Sequence, residues 1–206
     1  IVAMRAGAID LASLIATVSG ATSTVSGTLK TSSLDISGAI QPDLKSSLRG
    51  NGIVEIVNGS LKGVNIAGKV LSGMRGIPFV EGALYSYVPA ELQKEVSSPD
   101  THFSLARADF SIAGGTVNIS DGSIRSDLFS LATQGRASFD ADLDLKASIV
   151  FSKALSQAFA QRIKGFDKVL SSEGTLVVPL AIKGRGKDMV IIPDLKEILR
   201  LGAEKA

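Results

Sequence analysis

Cysteine and tryptophan are absent from the 206 residues, histidine occurs once, and aromatic residues make up only 5%. Without cysteine there is no disulfide framework, no thiolate metal site and no cysteine nucleophile, and the redox compartment is left open. Charge of one sign is also missing. Twenty-two Lys and Arg face 20 Asp and Glu, so nothing pulls the chain strongly toward nucleic acid or an anionic membrane. No apolar run reaches the roughly 18 residues of a transmembrane helix. The chain begins at Ile1 with neither an initiator Met nor a signal-like segment, so a processed or truncated piece of a longer protein is expected.

What is present is aliphatic. Apolar residues make up 45% of the chain and its mean hydropathy is positive, so Val, Ile, Leu and Ala have to be spread along strands as a broad, smooth surface. From Ala6 to Ile40, Gly7, Gly20, Gly27 and Gly38 separate alternating or β-branched runs that read as short antiparallel strands. The polar stretch from Pro42 to Asn51 reads as a loop. Between Phe129 and Phe151 the odd positions are mostly apolar and the even ones mostly polar. That pattern predicts a sheet with one wet face, folded into a hairpin by a turn near Asp140 to Asp142.

The most specific local signal is Gly52 to Ile66, GIVEIVNGSLKGVNI. Asn58 and Gly59 tolerate positive φ, and an Asn-Gly pair between alternating runs predicts a two-residue hairpin. The expected register places Val57 opposite Ser60, Ile56 opposite Leu61, Glu55 opposite Lys62, Val54 opposite Gly63 and Ile53 opposite Val64. One face then carries Val54, Ile56 and Leu61, and the other a Glu55/Lys62 pair. In the next run Ala106, Ala108, Phe110 and Ile112 share a face, ended by Gly114 and Gly115.

Helices are expected where the period changes. The run AGKVLSGMRG after Ile66 reads as a brief helix. Pro89 followed by AELQKEV reads as a helix with proline at its first position. The rest of Ile77 to Asp100, including Tyr85 and Tyr87, reads as an inserted covering segment. Leu155, Ala158, Phe159, Ile163, Phe166 and Leu170 recur at three and four behind Ser152, which predicts an amphipathic helix over 153–170 with Gly165 marking a bend or close contact. Leu176 to Ile182 restores strand alternation, and Pro179 places that strand at an edge or turns its N–H side to solvent. Asp194 caps a short helix over about 194–204.

Chemistry-bearing constellations are few. His102 has no local nucleophile or orienting acid. Asp140, Asp142 and Asp144 sit at strand spacing but lack the glycine and further ligands of a calcium loop. Lys183 to Asp188, KGRGKD, lacks the spacing of a phosphate-binding loop. It reads as a basic loop, with Lys183, Arg185 and Lys187 as weak candidates for contact with anionic lipid headgroups. Asn58-Gly59-Ser60 and Asn118-Ile119-Ser120 match glycosylation sequons. No catalytic residues, metal ligands or cofactor are expected, and an enzyme is disfavoured.

The stretch from Gly52 to Ile66 resembles the signature of the AsmA family, a Gly-led strand followed by Asn-Gly, an aliphatic residue, Gly and an aliphatic pair. Phe103, Ala106, Ala108, Phe110, Ile112 and Gly115 resemble a second family pattern, with Ala106 where Leu is more usual. Leu128 to Gly135 and Leu143 to Leu145 continue that likeness. The run from Gly174, GTLVVPLAIKGRGKDMVIIPDLKEIL, is similar to the family's closing strand, Gly break and Pro-Asp-Leu helix. The resemblance implies a single α+β domain over 1–206, predominantly antiparallel β, built as an elongated, curved and twisted sheet with an apolar groove. It also implies a periplasmic part of a Gram-negative envelope protein, held to the inner membrane by an N-terminal anchor outside this chain.

Larger members of the family are held to carry phospholipid along the groove between inner and outer membranes, and smaller ones to assist outer-membrane assembly. The expected partner is therefore a phospholipid or other acyl-chain lipid, with envelope proteins as further partners. Val54, Ile56, Leu61, Ala108 and Phe110 are the first expected lipid contacts. Ile112, Leu131, Leu143 and Leu145 complete the set. The rival expectation is a structural or assembly module whose helices cover the sheet and leave no lipid site, and the position of the helix over 153–170 discriminates the two.

Overall fold

The computed structural model describes residues 2–4, 9–10, 25–38, 44–75, 84–140, 142–185 and 188–203. Its strands are β1 (Val2–Met4), β2 (Ile9–Asp10), β3 (Val25–Ser37), β4 (Arg49–Leu61), β5 (Thr101–Ala113), β6 (Thr116–Arg125), β7 (Phe129–Ser138), β8 (Asp142–Phe151), β9 (Val177–Arg185) and β10 (Val190–Pro193). All ten form one antiparallel sheet in chain order, except that β1 and β2 both lie along β3. The sheet is open and uncurled. Short connections join β5 to β6, β6 to β7 and β7 to β8, whereas residues 62–100 between β4 and β5 and residues 152–176 between β8 and β9 carry helices. Gly27 lies inside β3 rather than between strands. The expected breaks at Gly7 and Gly20 lie outside the described residues.

The Asn58–Gly59 pair does not make a hairpin. β4 runs through it without turning, paired to β3 on one side and to β5 on the other. Asn58 takes a left-handed φ of 51°, and the β3 register slips between Ser26↔Ser60 and Thr28↔Val57, so the pair forms a β-bulge. The backbone requirement that suggests a turn, positive φ beside a residue with no side chain, is the same requirement a bulge makes. The Glu55/Lys62 pair is corrected with it. Glu55 bonds Arg107 on β5 at 2.8 Å, and Lys62 sits 3.4 Å from Asp100. The true two-residue hairpin is Gly114–Gly115, at φ 56° and 74°, closing Ala113 onto Thr116.

The bulge shifts the alternation. Phe103 and Ala106 are three apart, yet Phe103, Leu29 and Ile56 are buried together, with Leu61, Val54 and Ala106 against them. The extra residue in β4 brings Leu61 and Phe103 back to the side of Ile56. Gly59 is obligatory there, because a Cβ would stand 2.2 Å from the Ser26 carbonyl oxygen and 2.4 Å from Phe103 Cζ.

The helices are α1 (Leu44–Ser47), α2 (Ile66–Gly73), α3 (Ala90–Val96), α4 (Lys153–Arg162) and α5 (Leu195–Ala203), with 3-10 turns at Leu84–Tyr87 and Phe166–Val169. The polar stretch after Pro42 is thus a helical turn and the start of β4. Pro89 precedes the first residue of α3. Ser152 caps α4 as expected, accepting from the Leu155 N–H at 3.4 Å, but α4 stops at Arg162. Ile163 is extended and Gly165 left-handed at φ 85°. In an unbroken helix residues seven apart are about 10 Å apart along the axis. The break instead folds Phe166 back onto Phe159, with ring centroids at 5.4 Å.

β9 is not an edge strand. It lies between β8 and β10, and Pro179 sits just past the last β9–β10 pair, its carbonyl accepting from Asp194 N–H at 2.8 Å. A strand residue's N–H and C=O point the same way, so the missing donor falls beyond the end of β10. β10 is the edge, and it is blunted. Lys69 Nζ of α2 donates to the Met189 carbonyl at 3.1 Å, and Pro193 offers no N–H at the end that Gly73 abuts.

A cluster of polar bonds fastens the β4–α2 connection to α3 and β5. Thr101 Oγ1 donates to the Val64 carbonyl at 2.6 Å and accepts from Ile66 N–H at 2.9 Å. Asn65 caps α2 through Gly68 N–H at 2.6 Å and donates to the Val96 carbonyl at 2.8 Å, which Tyr85 also reaches. The Asp100 carboxylate accepts from Gly63 N–H at 2.7 Å.

Gly59→Ala should cost about 2–3 kcal/mol, because backbone and ring must both give way. Gly63→Ala should cost only about 1–2 kcal/mol, since its φ is 69° but no atom stands within 4 Å. Urea unfolding of the two variants checks the order. The Gly63 N–H bond, with Lys62 assisting, holds Asp100 below its ordinary value of 3.8. A depressed carboxylate pKa gives stability that is present above the unfolded value and lost as pH falls through the folded one. Amide exchange at Gly63 should therefore accelerate on acidification below the ordinary carboxylate range. In Asp100→Asn, which keeps an acceptor without the charge, that acid step should vanish.

The apolar face as a candidate functional site

Strand pairing places side chains on faces, because directly paired residues point the same way. Leu29, Ile56, Ala106, Ile124, Leu131, Ile149 and Val178 pair in succession, one apolar row across seven strands. Val54, Ala108, Gly122, Thr133, Ala147 and Leu180 form the next row on that side. Beyond it run Gly52, Phe110, Ile119, Gly135, Leu145, Ile182 and Ile191, then Gly50, Ile112, Val117, Ala137 and Leu143. Eight of the nine expected contacts lie in these rows. Leu61, the ninth, reaches the same side beyond the bulge, against Leu29, Ile56 and Phe103.

Several residues of this face escaped sequence reading. Ile119 and Gly122 are three apart in β6 and both belong to it, because a second bulge at Ser120 and Asp121 shifts the alternation. Gly122 leaves the space that Thr133 Cγ2 and Ile119 Cγ2 occupy, 2.7 and 3.1 Å from where its Cβ would stand. A strict period of two hides such pairs. The three-residue spacing of Phe103 and Ala106 was a visible trace of the same device.

Helices divide the face. Over β7 to β9, Leu155 and Phe159 of α4, with Ile163 and Phe166, join Phe129, Ile149, Phe151, Leu176 and Val178 in the main core. Leu131 and Leu145 are in that core, at 3% and 8% exposure. Leu84, Val88 and Val96 of the covering segment join it as well. Among the described residues Ala108, Phe110 and Ile112 belong to neither core cluster. Ile112 is buried, whereas Ala108, Phe110, Val54 and Leu143 are half-buried.

The two charged constellations meet. Asp144 and Lys183 are paired across β8 and β9 and lie 3.6 Å apart, and Asp142 and Arg185 are paired at 3.8 Å. Arg185 Nε also donates to the Asp140 carbonyl at 2.8 Å. The carboxylates thus offset the cations expected to touch headgroups, and Lys187 lies outside the described residues. Among the described residues no group of three acidic or histidine side chains could hold a metal. His102 is exposed, with Nδ1 3.9 Å from Glu95. Ser60 of the first sequon is buried and bonded to Ser26 Oγ at 2.8 Å.

Two cavities among the described residues lie elsewhere. One of about 470 Å³ opens between α2 and β10, lined by Asn65, Lys69, Ser72, Tyr85 and Met189 among others. Another of about 330 Å³ sits beside the β6 bulge, where Ser120, Asp121, Gln134, Lys146 and Ser148 line it. Among the described residues no helix is long and apolar enough to cross a membrane. Compared with models of known families, with curated proteins and with solved structures, the chain matches none.

Proposed function

We propose that this chain is a non-enzymatic, lipid-handling domain of the cell envelope, in which the part of the apolar face around Val54, Ala108 and Phe110 takes acyl chains. The observation that carries this reading is the continuity of the apolar rows past the helices, onto strands where Ala108, Phe110 and Ile112 join neither core cluster. Water contact costs an acyl chain about 0.8 kcal/mol per CH₂, so moving a lipid calls for a continuous apolar cover. Aliphatic rows of this kind read hydrophobicity and width rather than headgroup chemistry. Membership of the AsmA family, a periplasmic location and conduction of phospholipid along an apolar groove between inner and outer membranes belong to the same proposal, supported by the sequence resemblance. The ion pairs at Lys183 and Arg185 favour a minor headgroup role at most.

The second reading, an assembly module with a covered sheet and no lipid ligand, has its own support. Packing of Leu155 and Phe159 over Phe129 and Phe151 makes the β7–β9 end an ordinary core. The two readings separate at Phe110. Organic extraction of the purified domain followed by mass spectrometry should recover phospholipid, and Phe110→Glu should reduce capture of a fluorescent fatty acid about tenfold or more. Ser111→Glu, on the opposite face, should leave capture unchanged. Absence of extracted lipid together with no fatty-acid binding by the unmodified domain would exclude the lipid reading and favour the assembly module. Leu131→Glu should instead unfold the domain, since it buries an unpaired charge.

A further inference from the structure

We propose that Asn58 is a site of spontaneous deamidation gated by the fold, silent while β3, β4 and β5 are paired and active whenever they open. The chemistry needs only the chain and water. The Gly59 backbone nitrogen attacks Cγ of the Asn58 side chain, forming an N–Cγ bond. The Cγ–Nδ2 bond breaks, and Nδ2 leaves as ammonia with the proton given up by Gly59. Water then opens the succinimide ring at one of its two carbonyls, giving aspartate or an isoaspartyl link. Glycine in the second position favours this reaction because no side chain shields its nitrogen.

The folded chain opposes the rotation that attack requires. Val57 and Gly59 are paired to Leu105 and Phe103 on one side, while Val57 and Ser60 are paired to Thr28 and Ser26 on the other. The Ser26 carbonyl and the Phe103 ring both crowd Gly59 where a Cβ would stand, 2.2 and 2.4 Å from it. The Asn58–Gly59 peptide cannot swing toward Cγ without displacing a strand on each side. Asn58 itself is exposed and left-handed at φ 51°, so water already reaches it and the fold withholds only the backbone rotation.

The product matters as much as the gate. An isoaspartyl link inserts a methylene into the backbone of a strand paired on both sides. Register to β3 and β5 then cannot be kept together, and Phe103 loses its place beside Ile56. Opening thereby becomes irreversible for each chain that reacts.

Incubating the intact protein in mildly alkaline buffer, with and without denaturant, and mapping peptides for isoaspartate at residue 58 tests the gate. Conversion should be about 100-fold slower in the folded protein, and comparable rates in the two states overturn the proposal. β4 holds a second Asn-Gly pair at Asn51–Gly52, so the refolding arm uses an Asn51→Ser background, in which the unrefolded fraction after dilution from denaturant should match the isoaspartyl fraction at residue 58. In that background Asn58→Gly, compatible with positive φ, should refold fully after the same treatment. Asn58→Asp carries the charge without the added methylene and should also refold. Complete refolding of isoaspartyl chains would overturn the role given to register.

Discussion

The structure depends on one constraint, that the strands from β3 to β9 present most of their apolar residues to the same side of the sheet, with Val57, Leu105, Val150 and Val177 among the exceptions. A slip of one residue in any strand would turn a row of Val, Ile and Leu toward water and bring serines and charges inward. Because the sheet is a meander, each strand takes its register from the one before it, and an error would propagate. The bulges at Asn58 and at Ser120–Asp121 are where the sequence departs from alternation and the backbone absorbs the departure, so that Phe103, Ile119 and Gly122 stay on the apolar side.

Much of this architecture is legible in the sequence because it rests on local periodicity. The β7–β8 hairpin, the face of β5 and its end at Gly114–Gly115, the Ser152 cap and the Asp194 cap all stand as the residue pattern predicts. The failures share a cause. Asn58–Gly59, Gly165 and Pro179 are each local signals whose outcome is set by what lies alongside in space. Asn-Gly satisfies a turn or a bulge equally, and only the partners of β4 decide. α4 ends at its cap residue Ile163, and the left-handed Gly165 that follows lets Phe166 fold back onto Phe159. For Pro179 the edge reading fails because β10 lies alongside β9, yet the residue stands one past the last β9–β10 pair, so its missing donor costs no ladder bond.

The candidate site shows the same division. Eight of the nine expected lipid contacts share paired rows of one face, which alternation alone predicts. Their burial is not predictable that way, since it depends on which helix crosses which strands. Leu131 and Leu145 lie under α4 and the covering segment, while Ala108 and Phe110, with identical credentials in sequence, do not. Lys183 and Arg185 lie at the end of β9 rather than in a loop and stand opposite carboxylates from β8, a pairing set by register between segments some forty residues apart.

The order of elements along the chain has a consequence for synthesis. Strands β3 to β8 can pair as they emerge, each on its predecessor, but α4 follows β8 and α5 follows β10. A chain leaving the ribosome thus assembles most of its apolar surface before the helix that covers one end of it exists. During that interval the newest strand also offers an unblunted edge, since the Lys69 and Pro193 guard acts only on β10. Until the residues after Ser152 arrive, Phe129, Ile149 and Phe151 stand without the Leu155 and Phe159 side chains that complete their core.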